Sequence, residues 1–361
     1  MDTNNRPTLP IDGFQARRLI SVDDLSSDDI HYLLSMTDYF ADFLRMGARP
    51  QQRLAGKTQI NLFYENSTRT NLSFELAGKK LGADVINVPV AASSVNKDES
   101  LIDTTQTLAA MGAHIMIVRQ QSPGLLESLA DKIQCPIVNA GDGVREHPTQ
   151  ALLDAATIKS VFGTLEGKII AICGDIRHSR VAASGARLFK RLGATVRFVA
   201  PEYLLPDNQQ SPQSCFSSLQ EGLANADIVM ALRMQFERMQ SDDDIEKASK
   251  DYFADFGLTH QTLNYAKPNA FVMHPGPINR GVEIDGALAD DPRRSLILQQ
   301  VFYGVAVRMA CLDALLTNSA SSLANSEELT NLYETPPNIA DLSESGLVEP
   351  TSSYSERHQY D

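Results

Sequence analysis

Short apolar runs recur along this chain, and between them apolar residues fall at helical spacing. The runs lie at 59–64, 84–88, 114–119 and 136–139, then at 168–173, 195–199, 227–232 and 270–273. Each is short enough for a strand, and the intervals are long enough for crossover helices. Strand, helix and strand in repetition predicts parallel sheets covered on both faces. At the start, residues 21–46 open on a Ser-x-x-Asp cap, Ser21 to Asp24. Ile30, Leu33, Leu34, Met36, Phe40 and Phe43 then follow at helical spacing, which predicts one long helix. Near the other end, "SLILQQVFYGVAVRMACLDALL", 295–316, reads as a long apolar helix. Its Gln299, Gln300, Arg308 and Asp313 make it too polar for a membrane span, so it is expected to pack on a domain.

Four expected strands precede "HPTQALLDAATIKSVFG", 147–163, and four follow it. A single eight-stranded sheet satisfies this pattern. Two α/β domains, each a parallel β-sheet flanked by helices, satisfy it better at this chain length. The expected division is 14–149 for the first domain, with helix 294–318 packing back on it, and 150–293 for the second. Residues 319–361 form an expected disordered tail.

In open parallel sheets, ligands gather outside the carboxyl ends of the strands. Polar residues are concentrated at those ends. After the first run come Ser67, Thr68, Arg69 and Thr70, in "ENSTRTNLSF". After the second comes a loop with Ser93, Ser94 and Lys97. Arg119 closes the third, and His147 and Gln150 follow the fourth. In the second half, Arg180 ends "GDIRHSR", Arg233 and Gln235 lie in "LRMQFER", and "HPGPINRG" follows the last run. Any one of these has an ordinary reading: Ser67 as a helix cap, Lys97 as a solvated side chain, Arg119 as a surface ion pair, His147 as a core histidine. Their shared position at strand ends argues for a site. A helix N-terminus with added hydroxyls and a guanidinium is an anion site.

The chemistry that is missing narrows the reaction. "GDIRHS" is not a G-x-G-x-x-G turn, so nicotinamide binding is disfavoured. There is no G-x-S-x-G, no H-E-x-x-H and no acidic pair at metal-site spacing. A constellation of donors without a nucleophile suits a substrate that arrives activated, with phosphate as its leaving group. No metal and no organic cofactor are expected.

Composition changes this picture little. The 361 residues are 43% hydrophobic and carry a net charge of −13, which excludes a general nucleic-acid binder. The tail from 319 holds eight acidic residues and one basic one, so it carries more than half of that charge. Cys135, Cys173, Cys215 and Cys311 are far apart and read as thiols in a reducing cytoplasm. No secretory signal is apparent and no membrane span is expected.

The motifs "STRTNLSFE", "HPTQALLD", "LRMQFER" and "HPGPINRGVE", in this order, closely resemble the aspartate carbamoyltransferase family, catalytic chain, from about residue 17 to 317. The resemblance implies transfer of a carbamoyl group from carbamoyl phosphate to L-aspartate, early in pyrimidine synthesis. It implies a homotrimer with shared active sites. Ser67, Thr68, Arg69 and Thr70 would hold the phosphate. Thr70, Arg119 and His147 would donate to the carbamoyl oxygen, with Gln150 beside them. Lys97, with Ser93 or Ser94, would reach into a neighbouring subunit's site. Arg180, Arg233 and Gln235 would hold aspartate, and Pro275, Gly276 and Pro277 would line the site with backbone. The chain departs from some members at Gln120-Gln121 (His-Pro), Gly276 (Leu) and Val181 (Thr). The alternatives are an ornithine carbamoyltransferase, disfavoured because "HPGP" lacks that family's cysteine, and a non-catalytic subunit of the same fold. Attachment of regulatory or dihydroorotase-like chains stays open.

Overall fold

The computed structural model describes residues 7–8, 13–48, 50, 52–88, 100–206, 214–235 and 251–324, with side chains to 317. Residues 1–318 make one compact unit and residues 319–361 a second.

The first unit holds two all-parallel sheets. One runs in the order β2-β1-β3-β4, from Asp84–Val88, Thr58–Phe63, Ile115–Gln120 and Ile137–Asp142. The other runs β7-β6-β5-β8-β9, from Cys215–Phe216, Thr195–Val199, Ile169–Cys173, Ile228–Ala231 and Phe271–Met273. All eight expected strands are present, two with both ends as expected and the others with ends displaced by at most three residues. The two-residue β7 is additional. It is too short to show a period of two, and only its pairing of Phe198 with Cys215 and Val199 with Phe216 marks it as a strand.

In each sheet the chain changes direction of travel between two central strands. These are β1 and β3 in the first sheet, β5 and β8 in the second. The crevice outside such a switch point is where open α/β sheets place ligands. Phe63 pairs with Arg119 across the first. The β3–β4 register shifts between Val118 and Gln120, an irregularity of the kind that re-aims a side chain beside a site.

The expected helix over 21–46 is two helices. Ser21 caps a single 3-10 turn, Val22–Asp24, in a complete capping box. Ser26 and Asp29 form a second box that starts α1, Ser27–Arg45. Two Ser-x-x-Asp signals five residues apart cannot cap one helix, and each caps its own. Helices α2 (Thr68–Leu81), α3 (Leu101–Ala110), α4 (Leu125–Ala130), α5 (Pro148–Phe162) and α6 (Arg180–Arg191) follow in the expected places.

The last helix, Ile297–Ala324, extends beyond its expected end. By length and hydropathy its segment Ile297–Thr317 would qualify as a membrane span, so composition alone does not disqualify it. Burial does, since 78% of its most apolar window lies inside the protein. Its polar residues are partnered there. Asp313 pairs with Arg53, and Tyr303 accepts from Arg45 at 2.7 Å. The Arg308 guanidinium lies 4.9 Å from the centre of the Phe74 ring of α2.

Candidate active site

The strand ends of both sheets open on one cavity of about 1040 Å³. From the first sheet it receives Ser67, Thr68, Arg69 and Thr70, then Arg119, His147 and Gln150. From the second it receives Arg180, Arg233 and Gln235, together with Pro275, Gly276 and Pro277. Every site residue expected from the sequence lines this cavity except Lys97, which with Ser93 and Ser94 lies outside the described residues.

Two helices point uncapped N-termini into the cavity. Ser67 is the N-cap of α2, but its hydroxyl does not cap; it donates instead to Thr70 Oγ1 at 3.0 Å. His147 is the N-cap of α5 and makes no side-chain cap bond either. The serines that precede α1, α3 and α6 all cap. No side chain caps the first-turn N–H groups of α2. In α5, Pro148 has no N–H and the Gln150 N–H donates to His147 O at 3.0 Å, so that end offers chiefly the Thr149 N–H. Both ends carry the positive pole of a helix.

Arg69 adds a cation to the α2 end. Burial lowers its basicity, and no carboxylate among the described residues offsets that burial. Gly276 faces it with φ +69, and a Cβ placed there would come within 1.7 Å of Arg69 Nη1. The positive φ favours glycine, and a side chain in its place, such as the leucine of some members, would require the end of the Arg69 side chain to move. Gly141, at φ +131, plays a similar part. A Cβ on it would stand 3.0 Å from both Arg119 Nη1 and Arg180 Cζ.

Arg119 is pushed down to about 10 by burial, then by the neighbouring Arg180, against the opposing pull of Glu65. It remains cationic at neutral pH. One of its Nη1 hydrogens goes to Ala140 O at 3.1 Å. His147 is fully buried, and burial followed by Arg180, Arg119 and Arg308 holds its imidazole well below its ordinary pKa. The ring is neutral, and its Nδ1 has no partner among the described residues. Gln235 donates to His178 O at 3.0 Å.

Glu65 was not anticipated. It follows β1 and meets cations from both sheets. Arg119 Nη2 donates to its Oε1, Arg180 Nη2 to the same oxygen at 2.8 Å, and Arg180 Nη1 to Oε2 at 3.0 Å. Burial raises the Glu65 carboxyl, but hydrogen bonds and charge from Arg180 and Arg119 outweigh it and hold the group below the usual range. The signal in the sequence was charge balance: an acid two residues before Ser67 in a region otherwise full of donors. Gln300 and Arg308 also line the cavity. Their signal was polarity inside an apolar helix.

The cavity holds hydrogen-bond donors in excess, two cationic guanidiniums bridged by one carboxylate, and a neutral histidine. Such a set binds and polarises anions. Among the described residues no group of three or more His, Cys, Asp or Glu is placed to hold a metal ion.

The family model of the aspartate/ornithine carbamoyltransferase carbamoyl-P binding domain matches residues 17–160, and that of the Asp/Orn binding domain matches residues 166–315. The chain belongs to the aspartate/ornithine carbamoyltransferase family. Within this carbamoyltransferase family, the aspartate carbamoyltransferase catalytic subunit of Sphingopyxis alaskensis is 53% identical over 84% of this chain and 88% of its own length. That of Parvibaculum lavamentivorans is 52% identical over 86% and 94%. Among solved carbamoyltransferases, aspartate transcarbamoylase of Trypanosoma cruzi in complex with carbamoyl aspartate and phosphate matches with TM-score 0.76 and 31% identity, over 85% of this chain and 98% of that one. The catalytic subunit of the M. Jannaschii enzyme matches with TM-score 0.74 and 33% identity, over 84% and 99%.

Proposed function

We infer that this protein transfers the carbamoyl group of carbamoyl phosphate to the amino group of L-aspartate, giving N-carbamoyl-L-aspartate and phosphate early in pyrimidine synthesis. The observation that carries the reading is Arg69, an exposed cation lining the cavity without a carboxylate partner among the described residues, standing at the uncapped N-terminus of α2. It suits a phosphate, and the uncapped α5 with His147 and Arg119 suits the carbonyl joined to it.

The roles divide as follows. Ser67, Thr68, Arg69 and Thr70 hold the phosphate. Thr70, Arg119 and His147 donate to the carbamoyl oxygen, where negative charge grows as the deprotonated amine of aspartate attacks. A neutral His147 keeps one ring N–H, which it can donate to the carbamoyl oxygen. Arg180, Arg233 and Gln235 receive the carboxylates of aspartate. Phosphate departs and accepts the amine's proton, so no protein base is needed. In this reading residues 14–149, with the last helix, bind carbamoyl phosphate and residues 150–293 bind aspartate.

The assembly proposed is a homotrimer with shared sites. Leu72 and Leu76 on α2, and Ile86 on the edge strand β2, are about half exposed. A second copy covering them would bring a neighbour close to the chain that follows β2, where Lys97 lies. Lys97 then completes the neighbour's site. The workplace proposed is the cytoplasm.

The test is turnover of carbamoyl phosphate with L-aspartate, L-ornithine or no acceptor. Carbamoyl aspartate forming only with aspartate is the expected result. Citrulline formation would favour the ornithine reading, and release of phosphate alone would remove both.

A further inference from the structure

Asp154 lies on α5, one turn beyond Gln150, and is completely buried. One of its oxygens, Oδ1, accepts from two amides, Gln150 Nε2 at 2.9 Å and Gln300 Nε2 at 2.7 Å. Its other oxygen, Oδ2, has no partner among the described residues. Gln300 in turn accepts through Oε1 from the backbone N–H of His274 at 2.9 Å, which begins the turn that carries Gly276.

The direction of every bond in this relay follows from its first member. A backbone N–H can only donate, so the amide of Gln300 must present its oxygen to His274 and its nitrogen to Asp154. Oδ1 is therefore an acceptor. To the ionised carboxylate, which only accepts, Gln150 must then present nitrogen as well. An amide with its nitrogen so engaged has one orientation, whereas a free glutamine can turn over. Gln150 lines the cavity, and its Oε1 is left as the acceptor it offers there.

We propose that Asp154 is a positioning residue that fixes the Gln150 amide with its oxygen toward the cavity, so that the site selects an acyl phosphate bearing an N–H2 group. The inference rests on the carbamoyl-transfer reading. In that reading the carbamoyl group has one oxygen to be met by donors and one amino group to be met by an acceptor. Thr70, Arg119 and His147 serve the oxygen. Gln150, turned by Asp154, serves the amino group. Burial, opposed by the bonds from Gln300 and Gln150, raises the carboxyl of Asp154 to about 7. The orientation belongs to the ionised carboxylate, since a proton on Oδ1 would be donated to Gln150 Oε1 and turn that amide over.

The test compares carbamoyl phosphate with two probes that lack the amino group, acetyl phosphate and inorganic phosphate. Asp154→Leu matches the aspartate in shape but accepts nothing. It should weaken carbamoyl phosphate about tenfold, the scale of one lost hydrogen bond, while affinity for inorganic phosphate and acetyl phosphate stays within about twofold. Asp154→Asn retains an acceptor oxygen and should restore the preference. Asp154→Ser withdraws that oxygen without adding bulk and gives a second reading should the leucine variant not fold. Equal weakening of all three ligands would make the role structural only. Unchanged preference in Leu and Ser variants would overturn the proposal. A wild-type protein without carbamoyl transfer to aspartate would instead remove the reading beneath it.

Discussion

Arg180 grips Glu65 with both ends of its guanidinium, at 2.8 and 3.0 Å, and so ties the first turn of α6 to the loop that leaves β1. Arg119 shares the same carboxylate. Removing it would leave the buried Arg119 and the partly buried Arg180 facing each other with no carboxylate between them.

Glu65→Ala is accordingly expected to lower kcat roughly tenfold, because both arginines lose the group that orients them. Glu65→Gln should fall between, keeping the shape without the charge. Steady-state kinetics with both substrates measure this. Wild-type kcat in the alanine variant would show that Glu65 merely fills space.

Arg69→Ala and Arg233→Ala should separate the two substrates. The first removes a preorganised donor from the departing phosphate, worth about 3 kcal/mol or roughly a hundredfold in kcat. The second should raise KM for aspartate and leave carbamoyl phosphate binding near wild type, as read by calorimetry without aspartate. Collapse of carbamoyl phosphate affinity in Arg233→Ala would reverse the assignment of the two halves.

His147 should show no titration near its ordinary value of 6.5 in the folded protein. Its folded pKa is lowered, so between that value and 6.5 the unfolded chain binds a proton that the native state refuses. Its contribution makes stability fall as pH falls through 6.5, and His147→Asn should flatten that part of the profile. Imidazole NMR shifts and melting temperatures from pH 5 to 7.5 give the two readouts. A His147 resonance moving with a midpoint near 6.5 would refute the buried, neutral assignment.

Lys97 makes a prediction about the assembly. Trimers of Lys97→Ala chains and trimers of Arg69→Ala chains should each be inactive. In a ring where every site joins one chain's Arg69 to the next chain's Lys97, any mixed trimer has one intact site. Random exchange makes about three quarters of trimers mixed, so activity should recover to about a quarter of wild type by cyclic symmetry. Exchange confirmed by native mass spectrometry without recovery would place Lys97 in its own chain's site or in none.

What could be read from the sequence was whatever repeats at fixed spacing. The eight strands showed as apolar runs, and looking at what followed each run gathered Ser67 to Thr70, Arg119, His147, Gln150, Arg180, Arg233 and Gln235. The division at Leu25 was missed because Ser21 and Ser26 carry the same cap signal and helical spacing continues across both. Strand β7 was missed because two residues have no period. Glu65 was visible in the opening motif, but its partners lie 54 and 115 residues away, and no local pattern pairs an acid with cations at such distance. Asp154 was hidden by the opposite effect: it sits on a helix in the sequence "HPTQALLD", where an acid ordinarily faces water.

The pairing of the last helix with the first elements also orders the protein's own making. Chains emerge from the ribosome N-terminus first. The sheet β1–β4 is thus complete as sequence before any of β5–β9 exists. Yet Arg45, Arg53 and Phe74, which belong to that early part, meet Tyr303, Asp313 and Arg308 in the helix made after β9. The first half to be synthesised is therefore among the last to be finished, and through much of translation it carries an unclosed apolar face. A nascent chain stalled before residue 297 has every strand of both sheets and lacks the part that seals the first.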